Sequence, residues 1–144
     1  MNHSHLECFH DYHLTGYSVD GDPATITFKL CWPYDSQVEV LKALLVFTQV
    51  EGYFFAHDLG GNIISEIAEM PLMPFIEDNS TYFSEEKRSN WPLFWRGTVE
   101  ATALFLNERQ ARLWTIDSCY GLYGWIVAAD KAVKIIERRD PHGI

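Results

Sequence analysis

Between Ala24 and Leu30 the chain alternates cleanly. Ile26, Phe28 and Leu30 fall on one side, and Thr25, Thr27 and Lys29 on the other. A period of two marks a half-buried β-strand. His10 to Val19 carries a looser version of the pattern in Tyr12, Leu14 and Val19, and Asp20-Gly21-Asp22-Pro23 separates the two segments. Glycine supplies positive φ and proline has no N–H for a central ladder, so these four residues predict a hairpin-like turn. Trp32-Pro33-Tyr34-Asp35-Ser36 is the next break. Val38 to Val50 reads two ways. Val38, Leu41 and Leu45 fit a helix, whereas Val40, Leu44, Val46 and Val50 fit a strand. The β-branched and aromatic content of Leu45 to Val50 favours strand for the second half. Glu51-Gly52 predicts an end to that strand, and Tyr53 to Ala56 a short new one.

Gly60-Gly61-Asn62 predicts a loop. Asn62 suits a helix cap ahead of Ile63, Ile64 and Ile67, and a strand over Ile63 to Ile67 fits nearly as well. Met70 to Asn90 holds Pro71, Pro74 and six charged side chains, and predicts a long irregular excursion. Excursions of that length inside a compact domain tend to be functional. Thr98 to Leu106 alternates and predicts a strand, Asn107 to Gln110 a turn, and Ala111 to Ile116 the returning strand. Gly121 and Gly124 mark a bend or bulge. Trp125 to Ala129 is apolar, Asp130-Lys131 reads as a turn, and Ala132 to Glu137 as a strand or short helix. The expected fold is mainly β. It is an antiparallel sandwich or open barrel of about eight strands with one or two short helices.

The length of 144 residues predicts a single domain. The longest uncharged apolar run is about seven residues, against about 20 for a membrane-crossing helix. Met1 to His10 lacks a basic region followed by an apolar one, so no signal peptide is expected and a cytoplasmic location is. The charge is uneven. Residues 1–86 hold 14 acids against Lys29 and Lys42, a balance of −12, and the remainder holds six acids against nine bases, a balance of +3. An acidic surface repels phosphate, which disfavours nucleic acid and anionic membranes and favours a basic protein partner.

The chemistry-bearing residues form no recognisable active site. Cys8, Cys31 and Cys119 are odd in number and show no paired spacing. Cys119, in Asp117-Ser118-Cys119-Tyr120-Gly121, lacks a nearby histidine in sequence and reads as a buried structural cysteine. His3, His5, His10 and His13 crowd the start with Glu7, Cys8 and Asp11, yet their spacing does not assemble a metal cage. Met1-Asn2-His3 alone places an amine, two amides and an imidazole in order for square-planar copper. Glu66, Glu69, Glu77 and Asp78 could pair as catalytic carboxylates, but with no second motif they read as a solvated acidic face. No catalytic residue, metal or cofactor is expected. The aromatics total 21 residues, 15% of the chain. Phe28, Phe47, Phe105, Trp114 and Trp125 fall at core-like positions. Trp91, Phe94 and Trp95 follow a charged stretch and are candidates for exposed anchors.

Phe9-His10-Asp11-Tyr12-His13-Leu14, Val19-Asp20-Gly21 and Ala24 to Leu30, followed by Phe47 to Tyr53 and Asn62 to Ile67, form a recognisable set. It resembles small bacterial proteins of unknown function, some classed as immunity proteins of polymorphic toxin systems. The similarity covers about half the chain, and its strand–turn–strand motifs are common ones. The resemblance implies a β-rich fold and a protein-binding role, and it transfers no catalytic residue. The resulting expectation is a non-enzymatic domain, monomeric or homodimeric. It would meet a basic partner through Glu66, Glu69, Glu77 and Asp78 with Trp91, Phe94 and Trp95 as anchors. The alternative is a β domain that uses the aromatics to hold a small ligand or carbohydrate.

Overall fold

The computed structural model describes residues 9–140. Cys8 and the Met1-Asn2-His3 motif lie outside them. Six strands are present: β1 (His13–Gly21), β2 (Ala24–Cys31), β3 (Val40–Ala56), β4 (Asn62–Met70), β5 (Arg112–Tyr120) and β6 (Tyr123–Arg138). Between β4 and β5 the chain makes helix α1 (Leu72–Glu85), a 3-10 turn (Glu86–Ser89) and helix α2 (Val99–Glu108). All strand pairs are antiparallel, in the order β1-β2-β3-β6-β5-β4. Two backbone pairs, His13 with Ile63 and Leu14 with Asn62, close the sheet on itself.

The count is six strands rather than about eight, because two expected breaks are continuous and one expected strand, Thr98 to Leu106, is a helix. At Glu51-Gly52 strand β3 bends instead of ending. Gln49 takes φ 51°, the register against β6 slips between Val50 and Gly52, and pairing then resumes to Ala56. An extra residue on one strand bends a ladder without breaking it. Asp130 and Lys131, expected as a turn, pair with Thr48 and Phe47 in the middle of β6. Residues 62–70 and 132–137 adopt the strand alternatives.

Two other expectations are overturned by helices. The excursion after Met70 is largely α1. Its prolines, Pro71 just before the helix and Pro74 in its first turn, remove only N–H groups that have no partner inside a helix. Thr98 to Leu106, expected as a strand, belongs to α2. The Thr98 hydroxyl accepts the Ala101 N–H at 3.1 Å, and Ala103 and Leu106 bury one face beside Val99. Alternation over nine residues and a helical stripe share enough positions that the threonine cap and the alanines decide.

The interior of the sheet holds Ile26, Phe28, Leu45, Phe47, Trp114, Ile116 and Ile126. Phe47 joins the two sides, with ring centroids 5.6 Å from Phe28 and 5.5 Å from Trp114. A second core lies on the opposite face of β5 and β6, where Leu113 and Val127 carry Ile76, Phe83, Phe94 and Leu106. Both faces are therefore covered where Leu113 to Ile116 meet Gly124 to Val127, which explains the unbroken apolar run from Trp125 to Ala128.

One buried polar residue ties the loops at one end. Asn62 is 2% exposed. Its Oδ1 accepts the N–H groups of Leu59 (3.1 Å) and Leu122 (2.8 Å), and its Nδ2 donates to Asp58 (3.0 Å). Gly121, with φ 97°, packs so tightly against this amide that no β-carbon fits.

Candidate functional site

The segment after the 3-10 turn crosses the outside of β3 and β6. Asn90 adopts the left-handed conformation (φ 55°) and turns the chain into Trp91. Trp91 is half-buried, its ring 5.8 Å from Trp125 of β6 and 5.6 Å from Tyr82 of α1. Trp95 is also half-buried and leans on Phe83 at 5.9 Å. Phe94 is 1% exposed and belongs to the second core. Of the three expected anchors, the tryptophans keep accessible surface and Phe94 is withdrawn. The most exposed side chain of the segment is Leu93, at 70%.

Trp91 and Leu93 form one wall of a groove of about 220 Å³. The other walls come from the end of β1 and start of β2 (Val19, Ile26) and from the bend in β3 (Val50, Tyr53). Asp20 and Glu51 are the charged residues of its lining, and no described lining residue is basic. Asp20 is exposed. Glu51 lies 3.5 Å from the Arg109 guanidinium, which in turn covers the Phe105 ring at 4.3 Å. The β3 bend that the sequence marked as a break therefore shapes the groove floor.

The expected acidic face does not gather around this groove. Glu66 is exposed on β4 and pairs across the ladder with Asp117 of β5, one carboxylate opposite another. Glu69 is held by Arg112 at 3.3 Å, and Arg112 also meets Asp130 at 3.3 Å. Glu77 and Asp78 are exposed on α1. None of the four lines the groove. The carboxylates that do, Asp20 and Glu51, carry no mark of a site in the sequence, where one reads as part of a turn and the other as part of a strand break.

The titratable groups elsewhere are structural in their surroundings. Asp58 sits below the ordinary carboxylate range, because the Asn62 amide and the Gly60 N–H (2.8 Å) both donate to it. Burial pushes Tyr17 up, and the neighbouring Asp58 carboxylate adds to this. Burial pushes Lys131 down, with Glu69 opposing the shift. Cys119 is exposed, which corrects the expectation of a buried cysteine, and its thiol lies 3.4 Å from the Ile63 carbonyl. His13 contacts the Tyr34 hydroxyl at 2.9 Å. Among the described residues, no three His, Cys, Asp or Glu side chains are placed to hold a metal ion. No helix among them is long and apolar enough to cross a membrane. Comparison with protein-family models, with curated proteins and with solved structures found no match.

Proposed function

We propose that the protein is a non-enzymatic binding domain that docks a basic protein partner at the Trp91–Leu93 groove, in the manner of an immunity protein. The observation that carries this reading is the groove itself. Its walls are apolar and aromatic, its charged lining residues are Asp20 and Glu51, and no described lining residue would repel a cation. A lysine or arginine with its alkyl stem on Val19 and Tyr53 and its head near Asp20 would find both apolar contact and an opposite charge. The acidic balance of the first 86 residues would speed the approach of such a partner. The closed sheet, an antiparallel barrel in this reading, serves as the rigid scaffold. Free Cys31 and Cys119 suit a reducing compartment, the cytoplasm.

The size of the groove separates this reading from its rival. At about 220 Å³ it is smaller than the roughly 300–1,000 Å³ of sites that enclose small molecules, and it suits one or two anchoring side chains. The test is capture of the tagged full chain's partners from its native lysate, at low and high salt, beside a Leu93→Lys variant. A basic protein held at low salt, released at high salt and not retained by the variant supports the proposal. A partner held equally by both forms moves the interface elsewhere. A sugar that shifts tryptophan emission, with no protein retained, replaces it with the carbohydrate reading.

A further inference from the structure

Among the described residues several strand stretches pair on one side only, and the longest is the end of β6. β5 meets β6 only where Arg112 to Ile116 face Ala128 to Gly124. Past Ala128, β6 runs on to Arg138 and, among the described residues, pairs with β3 alone. Several side chains there are open to solvent, Ala132, Lys134, Val133 at 40% and Ile136 at 52%, while Lys131 and Ile135 are half-buried. Such an edge presents backbone N–H and C=O groups in a row, ready for another strand. Arg112 covers its beginning, with one guanidinium nitrogen 3.5 Å from the Ala129 carbonyl and 3.3 Å from Asp130. From Asp130 to Ile135 the register against β3 is unbroken. Asp130, Ala132 and Lys134 therefore share one face, and Lys131, Val133 and Ile135 the other.

We propose that this edge pairs with the same edge of a second copy of the chain, with the two-fold axis passing Ala132. A two-fold perpendicular to a sheet makes the two edge strands antiparallel, and the axis position fixes which residues meet. An axis at Ala132 sets Asp130 of each copy opposite Lys134 of the other. It brings the small Ala132 side chains together at the centre and lays Val133 beside the stem of Lys131. An axis at Lys131 or Lys134 opposes two lysines at the centre, and one at Val133 leaves Asp130 opposite Ile136. The Asp-x-Ala-x-Lys spacing thus matches itself in one register. The groove at Trp91 shares no residue with this edge, so the two proposals stand or fall separately.

Sedimentation velocity of the full chain over a concentration series tests the proposal. A monomer–dimer equilibrium is expected. Asp130→Lys and Lys134→Asp should each weaken association about tenfold, because each turns two attractive cross-strand pairs into repulsive ones. The double variant should restore it. Lys134→Asp leaves the Arg112–Asp130 contact in place, so an unchanged melting curve for that variant assigns its effect to the interface. A chain that stays monomeric throughout overturns the proposal and leaves the lysines as guards of a lone edge. A dimer indifferent to both single reversals places the interface elsewhere and overturns it equally.

Discussion

The ring of Phe94 rests on the bare α-carbon of Gly52, so closely that a β-carbon there would stand 2.7 Å from it. The contact joins the loop that carries Trp91 to the bend in β3, and so holds two walls of the groove together. Gly52→Ala should destabilise the fold by about 1–3 kcal/mol in chemical denaturation, the usual cost of overpacking. Combining it with Phe94→Leu should cost less than the sum of the two single changes, since the smaller side chain vacates the clashing volume.

Asn62→Ala should be among the most damaging single substitutions. It leaves the Leu59 and Leu122 N–H groups without their acceptor and Asp58 without one of its donors. A loss of about 2–4 kcal/mol is expected from the stranded polar groups. Thermal melts read the loss, and hydrogen exchange should show faster opening at Leu122.

Asp58 gives the acid side of the stability profile a defined shape. Its carboxylate is favoured in the folded state by donors from Asn62 and Gly60, which places its folded pKa below its unfolded one. The stabilisation is complete above the ordinary aspartate pKa of about 4 and is lost as pH falls through the lower folded value. Asp58→Asn should flatten this acid limb while leaving the slope near neutral pH unchanged. A denaturation series in acid checks it.

Lys131 acts in the opposite direction on the alkaline side. Burial favours its neutral form in the folded state. The cost is fully present below its folded pKa and fades as pH rises toward the ordinary lysine value near 10.4. Lys131→Met should therefore raise the melting temperature at neutral pH, with the gain shrinking as pH approaches that value.

Leu93→Lys separates binding from folding. Leu93 is 70% exposed, so stability should stay within about 0.5 kcal/mol of the parent. Partner retention should be lost, because the variant places a cation in a groove suited to one. Trp91→Ala, by contrast, should lower both stability and binding, since the ring also packs on Trp125 and Tyr82.

The parts of the fold legible in the sequence are those decided by neighbours along the chain. Ala24 to Leu30 shows its period of two directly, and Ile26, Phe28 and Leu30 are buried as that period requires. Asp20 to Pro23 carries its turn in its own residue types. The misread segments depend on distant partners. Glu51-Gly52 looks like a stop until the β6 ladder is seen to carry pairing through it, with Phe94 filling the space a side chain would need. Asp130-Lys131 looks like a turn until Thr48 and Phe47 are placed opposite. The groove is harder still, since its walls come from three separate stretches of sequence. Trp91 could be singled out as an unusual aromatic, but its neighbours Val19, Asp20 and Tyr53 carry no local mark of a shared surface.

The longest ladder, β3 against β6, joins strands whose nearest paired residues are Ala56 and Tyr123. A ribosome therefore completes β3 well before its principal neighbour exists. Until β6 emerges, one side of β3 has only solvent or chaperones for company. The β1–β2–β3 meander can form early from local contacts, while closure of the sheet must await late synthesis, so assembly of this chain should be slow for its size and weighted toward the end of translation.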